Sequence, residues 1–280
     1  MGEAVASALW KARSVYEDLS SRGEATRRLG RGGFGDVTMM ADMMCEEAII
    51  SELTRGLGTE RVTIVAEESG IKEWRGTPDY VIVVDPIDGS TNLRKGIKCV
   101  STGVAVACGE RFKDVMASGV LDLIHGELYL AAEDELRLPS DSRPSDVREV
   151  REAVMMVDFR SAKRGSESAA KYLRLISEAK YVRNLGSSLL ELVQISVGRI
   201  DAYVCITKEM RVFDVVPAMF VLSRLGCPMW SSGLDIGSLP LVTKDRVALI
   251  ASANRELHDA LLDLLELPRA QHRMEGDGGA

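Results

Sequence analysis

Apolar residues recur at helical spacing through residues 3–20, and again through "MMADMMCEEAIISELTRGLG" (39–58), which closes on glycine. That spacing predicts two amphipathic helices separated by a glycine-rich loop. The apolar runs then shorten. "RVTIVAEESG" reads as a brief strand running into acidic residues and a turn, and "PDYVIVVDPIDGSTN" as a buried strand over Tyr80–Val84 ending at Asp85-Pro86. "CVSTGVAVAC", "KDVMASGVLDL" and "GELYLAA" follow closely, with turns at Gly109-Glu110 and His125-Gly126, and together predict a meandering antiparallel sheet. The polar, proline-containing "LRLPSDSRPSDVREV" (136–150) is the expected linker. Beyond it the pattern alternates. A strand in "AVMMVDF", a helix from about Ser166 to Ala179, a strand near 181, a helix over 187–197, a strand in "DAYVCI" and a helix over 215–225 are followed by a strand over 246–251 and a helix over 255–266. The organisation expected is an N-terminal half (1–140), a C-terminal alternating half (150–270) and a disordered tail (271–280).

Nearly half of the 280 residues are hydrophobic, enough for a substantial core. The net charge of −7 disfavours a nucleic-acid partner. Cys45, Cys99, Cys108, Cys205 and Cys227 show no metal-binding or paired spacing and read as buried free thiols of a reducing compartment. The N-terminal segment alternates charged with apolar residues and no apolar run approaches membrane-spanning length, so a soluble, cytoplasmic protein without a membrane partner is expected.

The loop "LGRGGFGDV" (29–37) fits a glycine fingerprint at Gly30, Gly32 and Gly35. A kinase would need a strand lysine soon afterwards, but none lies between Lys11 and Lys72. A dinucleotide site would need a strand before the glycines, and "SSRGEATRR" has no strand character. Both nucleotide readings fail on context.

Carboxylates collect at strand and helix ends: Glu67-Glu68 in "AEES", Asp85 and Asp88 in "DPIDGSTN", and Asp214 in "VFDVVPAM". Taken singly, each has an ordinary structural reading as a solvated turn, a strand terminator or a helix cap. Converging, they would repel unless a cation neutralised them, and an all-oxygen donor set favours Mg²⁺. Gly89, Ser90 and Thr91 open what reads as a helix whose free N–H groups face an anion. Metal-binding carboxylates beside an anion site describe a phosphate-ester site.

Here the chain resembles the superfamily of inositol monophosphatases and fructose bisphosphatases, which are Mg²⁺-dependent and lithium-sensitive. "EES", "DPIDGSTN" and the later "FD" are similar to its E-E, D-P-[IL]-D-G-[TS]-x-N and W-D signatures. "RNLGSSLLELVQISVGRIDAYV" and "GDVTMMAD" resemble further stretches, and the likeness runs from about residue 36 to 226. The variant looks like the archaeal type that acts on both inositol phosphates and fructose bisphosphate. Phe213 stands for the usual Trp and Ser90 for the commoner Thr.

The resemblance implies an α/β fold, a layered αβαβα sandwich, and a homodimer. It implies one metal at Glu67, Asp85 and the carbonyl of Ile87, and a second at Asp85, Asp88 and Asp214, with Mn²⁺ as a possible substitute. A third, weakly held ion would reach Asp42, and Gly30–Gly35 would form a mobile lid. Ser90 and Glu67 would orient a metal-activated water and accept its proton, with no phosphoenzyme. Gly89, Ser90 and Thr91 would hold the phosphate, and Gly186, Ser187 and Ser188 would face the substrate. The partner implied is a small sugar or polyol phosphate. Two alternatives stand beside it: a nucleotide-side phosphatase acting on NADP or 3′-phosphoadenosine phosphates, and a non-catalytic metal and sugar-phosphate binder.

In inositol-preferring members an acidic residue stands seven positions before the metal aspartate; Thr207 stands there in this chain, with Lys208 and Arg211 nearby. Basic side chains beside the pocket, with Arg160 and Arg183 as further candidates, suit a second anionic group. Fructose 1,6-bisphosphate is therefore expected to be preferred over inositol 1-phosphate.

Overall fold

The structure is a computed structural model that describes residues 1–141, 143–163, 166–232 and 234–269. The tail expected to be disordered lies outside the described residues. Helix α1 (Gly2–Ser21) is followed by a hairpin of β1 (Arg28–Arg31) and β2 (Val37–Met39), then by α2 (Met40–Leu57), which stops at Gly58 in a left-handed conformation. Strands β3 (Val62–Ala66), β4 (Gly70–Lys72) and β5 (Tyr80–Asp88), the short helix α3 (Ser90–Lys95), and strands β6 (Ser101–Ala107), β7 (Val115–Asp122), β8 (Leu128–Ala132) and β9 (Glu135–Arg137) come next. The remainder holds β10 (Val154–Val157), α4 (Ser166–Glu178), β11 (Tyr181–Arg183), α5 (Ser188–Val193), β12 (Ala202–Met210), α6 (Val212–Arg224), β13 (Met229–Trp230), β14 (Val247–Ser252) and α7 (Arg255–Leu264).

Two sheets carry the chain. One has seven strands in the order β4-β3-β5-β6-β7-β8-β9, the other five in the order β11-β10-β12-β14-β13. In the first sheet β3 and β5 run parallel and β5 to β9 form the expected antiparallel meander. Alternation along each strand sorts its side chains into layers. Ile82 and Val84 face α1 and α2, while Val81 and Val83 face α5 and α6. In the second sheet Tyr203, Cys205 and Leu249 turn toward the same two helices, and Val204 and Ile250 turn toward α4 and α7. The result is helix, sheet, helix, sheet, helix, the αβαβα sandwich expected. Helix α6 is apolar nearly all round because both of its sides are covered. Cys45, Cys99, Cys205 and Cys227 are buried free thiols as expected, whereas Cys108 is exposed because β6 ends at Ala107 and the chain turns there.

The glycine loop departs from expectation. Residues 20–27 hold no strand, as read, but β1 begins at Arg28 and runs through Gly30, so the segment forms a two-stranded hairpin. All four residues of β1 are exposed, so no apolar alternation marks it in the sequence. Its turn is packed on the carboxylate segment after β3. Gly33 N–H donates to the Glu68 carbonyl at 2.6 Å, and a Cβ at Gly33 would lie 2.5 Å from the Gly70 nitrogen. This close backbone approach needs glycine. Gly33→Ala is accordingly expected to destabilise the protein by about 1–3 kcal/mol in denaturant titration; a neutral substitution would show that the hairpin is not docked.

Candidate active site

The parallel pair β3 and β5 ends at one place. Asp85 and Asp88 are three residues apart, and in a regular strand side chains at that spacing point to opposite faces. Here β5 continues through Asp85-Pro86 instead of stopping there. Between Asp85↔Gly103 and Asp88↔Ser101, three steps along β5 match two along β6. The irregularity brings both carboxylates to the same cavity. Pro86 suits it, having no N–H to give to a ladder.

Glu67 follows the last residue of β3 and lines this cavity too. The turn that carries it is held by buried Glu46 of α2, whose two carboxylate oxygens accept from the Glu68 and Ser69 amides at 2.8 and 2.9 Å. Asp214 is not the cap of α6 but its third residue. Its Oδ2 accepts from Arg211 N–H at 2.8 Å, fixing the carboxylate at the start of the helix. Asp88 Oδ2 accepts from Ser187 Oγ at 2.6 Å and Leu189 N at 2.8 Å, which ties it to α5. Asn92 bridges the same two regions, donating to the Cys99 and Leu185 carbonyls.

Electrostatics reflect this crowding. Burial, followed by the neighbouring carboxylates, pushes Glu67 and Asp85 well above the usual carboxylate range. Burial likewise raises Asp88, and raises Asp214 to about 6 against the pull of its backbone hydrogen bond. Asp85 Oδ1 is buried without a hydrogen-bond partner. A cluster of oxygen donors with one orphaned oxygen is chemistry that fits a hard divalent cation. Among the described residues, no three His, Cys, Asp or Glu side chains are drawn into metal-holding geometry.

Asp42 lies behind the cavity, buried near the start of α2. Its Oδ2 accepts from Met39 N at 2.6 Å and its Oδ1 from Ser90 Oγ at 3.3 Å. Ser90 Oγ also reaches the Ile87 carbonyl at 3.0 Å. Burial brings Asp42 to about 7.

The cavity has a volume of about 530 Å³. Glu67, Asp85, Ile87, Asp88, Gly89, Ser90, Thr91, Arg160, Gly186, Ser188, Arg211 and Asp214 line it, as the sequence reading placed them in a site. Asp42 and Ser187 stand one contact behind, through Ser90 and Asp88. Arg183, Thr207 and Lys208 are not brought to it. Arg183 is exposed and stacked over Tyr181, and Lys208 is exposed on β12. Sequence reasoning missed Arg94, Asp158, Asn184, Glu191 and Arg246, all in the lining. Arg94 lies in the short helix α3 that opens directly after the D-P-I-D-G stretch, so its nearness to the site was legible. Arg246 is far away in sequence and carried none. Arg160 is gripped by buried Asp158 through Nε and Nη2, at 2.8 and 2.6 Å to one carboxylate oxygen.

Glu191 holds the loop before α5 by accepting from the Leu185 and Gly186 amides, the latter at 2.9 Å. Burial raises it to about 7. A raised carboxylate in the folded state stabilises below the unfolded pKa, and that contribution is lost as pH rises toward the folded value. Stability should therefore fall between about pH 4.5 and 7, with Glu191 contributing on the order of 3 kcal/mol. In Glu191→Gln, which keeps an acceptor but cannot ionise, the pH-dependent loss of melting temperature should shrink. An unchanged pH slope would remove Glu191 from this role.

A family model described as the inositol monophosphatase family matches residues 2–267. A fructose-1,6-bisphosphatase/inositol-1-monophosphatase of Archaeoglobus fulgidus is 27% identical over 248 residues, covering 87% of this chain and 89% of that protein. A fructose-1,6-bisphosphatase of Pyrococcus furiosus is 28% identical over 240 residues, covering 83% and 85%. Among solved structures, an inositol monophosphatase–fructose 1,6-bisphosphatase superposes with a TM-score of 0.76 at 22% identity, covering 94% of this chain and 98% of the other, and so shares the fold. With the carboxylate cavity described above and nearly the whole length matched, the chain belongs to the inositol monophosphatase family.

Proposed function

We propose that the chain is a magnesium-dependent phosphatase acting on a phosphomonoester of a sugar or polyol, with fructose 1,6-bisphosphate preferred over inositol 1-phosphate. The family is one of metal-dependent phosphatases. The observation that carries the reading is the convergence of Glu67, Asp85, Asp88 and Asp214 on one cavity, with Asp85 Oδ1 left unpartnered. Glu67, Asp85, Asp88, Asp214 and the Ile87 carbonyl would hold two magnesium ions, with a third toward Asp42. Bound there, magnesium would supply charge neutralisation and Lewis-acid activation of water.

The chain's own residues do the rest. Asp42 is anchored by Met39 N–H through one oxygen and faces Ser90 with the other. Ser90 can take a proton from an attacking water and pass its own to Asp42 Oδ1. With Oδ2 already held by the Met39 amide, Asp42 Oδ1 is the acceptor that such a relay needs. Glu67 orients the water, while Gly89, Ser90 and Thr91 receive the phosphate. The leaving alkoxide would take its proton from a second water, and the proton held on Asp42 would neutralise the hydroxide this leaves.

For the substrate's second anionic group, Arg94, Arg160 and Arg246 are better placed than Lys208, because they line the cavity and it does not. Phe213 is the sole aromatic side chain among the lining residues, and Arg211 and Phe34 already pack against it. That leaves little to stack an adenine and favours a sugar over a nucleotide.

Chelation should abolish hydrolysis and Mg²⁺ should restore it. Asp88→Asn keeps an oxygen for Ser187 and Leu189 but presents an amide to the cavity. It should lower turnover by at least about a hundredfold with little change in metal-free stability; near-normal turnover would refute the metal assignment. Fructose 1,6-bisphosphate should exceed inositol 1-phosphate about tenfold to a hundredfold in kcat/KM, as one charge-assisted contact allows. Arg246→Ala should raise KM for the bisphosphate alone, and Lys208→Ala should change neither substrate. Equal losses on both substrates would defeat the specificity account.

A further inference from the structure

Arg211 is held on several sides at the cavity, and one of its donors is still without a partner. Its side chain is 11% exposed and lies between two rings, 4.6 Å from the Phe34 centroid and 5.8 Å from that of Phe213. The rings themselves meet edge to face at 5.2 Å. Nη2 donates to the Phe34 carbonyl at 3.1 Å and ion-pairs with Asp36 at 3.2 Å. Arg211 also lines the cavity, and its Nη1 is buried without a hydrogen-bond partner.

These contacts put one guanidinium at the junction of three parts. Phe34 and Asp36 belong to the turn of the glycine hairpin. Phe213 and the Arg211 backbone belong to the start of α6, where Asp214 is fixed by the Arg211 amide. The cavity is the third. The hairpin has a second anchorage at its tip, the Gly33 bond to the Glu68 carbonyl, next to Glu67. Gly30 and Gly35 adopt backbone conformations that side chains rarely allow, which is why this segment is built on glycine. A planar cation suits this position because it stacks with its faces and donates with its edge, which lysine cannot do.

We propose that Arg211 is a positioning residue that couples the cavity to the hairpin: an anion in the cavity takes the free Nη1 donor, and the same guanidinium then holds the hairpin closed over Glu67 and Asp214. A buried charged donor without a partner is costly, so the closed state favours an anion there. By linkage, whatever loosens the hairpin must weaken the anion. Phe34 does not line the cavity, yet on this account it contributes to anion binding through Arg211. The identity of the anion rests on the phosphatase reading, whereas the clasp itself does not.

The test is amide hydrogen exchange over residues 28–39 of the full chain, with Mg²⁺ alone and with Mg²⁺ plus inorganic phosphate. It is paired with calorimetric titration of phosphate in the presence of Mg²⁺. In the wild type phosphate should slow exchange at Gly33 and Gly35 severalfold. Arg211→Lys and Phe34→Ala should remove that protection, and Phe34→Ala should weaken phosphate about tenfold while its melting temperature without phosphate stays near the wild-type value. Asp36→Asn, which loses only a contact at the exposed rim, should keep most of the protection. Phosphate binding to the wild type without hairpin protection would overturn the proposal. So would protection that survives in Arg211→Lys, or an undiminished phosphate affinity in Phe34→Ala. Failure of the wild type to hydrolyse any sugar phosphate would sink the proposed reaction and leave the exchange result to decide the clasp.

Discussion

Several carboxylates share one poorly solvated cavity, and their mutual repulsion is the constraint on which the rest of the structure turns. Like charges this close, away from water, favour protonation or dispersal. The fold counters dispersal by committing backbone donors to the carboxylates: Leu189 N–H to Asp88, Arg211 N–H to Asp214 and Met39 N–H to Asp42. Each bond fixes one oxygen of its carboxylate, and in Asp42 the other oxygen meets Ser90. What remains uncompensated, Asp85 Oδ1 above all, is negative charge waiting for a cation.

Those donors come from both sides of the molecule, which explains why the layers matter. Asp85 and Asp88 stand on the seven-stranded sheet, while Asp214, Ser187 and Leu189 stand on or beside the two helices sandwiched between the sheets. Helix α6 is so thoroughly buried that its first turn cannot shift without repacking the central core, and Asp214 inherits that rigidity. Asn92 adds a direct stitch from the D-P-I-D-G-S-T-N stretch to the Leu185 carbonyl. A site assembled this way depends on tertiary packing for its geometry, and only its hairpin side rests on a small, glycine-rich element.

Substrate recognition is where local reading and three-dimensional placement diverge most. Lys208 and Arg183 are close in sequence to site residues, but strand alternation and exposure carry them elsewhere. The cavity instead draws on Arg94, Arg246 and the Asp158–Arg160 pair. Glu191 acts at one remove, shaping the loop that presents Gly186. Arg211, expected as a substrate contact, spends most of its bonding on Phe34 and Asp36.

The sequence by itself determined the elements and the chemistry. Apolar spacing marked the helices and the meander, because burial of one face is a local, periodic requirement. The acidic residues at strand ends marked the carboxylate cluster, because nothing in a core needs Glu67, Asp85, Asp88 and Asp214 in those places. The tertiary structure alone decided how these pieces face one another. The irregularity that turns Asp85 and Asp88 to one side depends on pairing with β6, and the exposed hairpin depends on docking at Gly70, so neither leaves a periodic signature. The positions of Arg246 and Glu191, and the engagement of Arg211 with Phe34 and Asp36, were likewise illegible. Which of two faces a side chain takes, and what meets it there, is set by partners distant in sequence, and a pattern read along the chain carries no information about contacts across it.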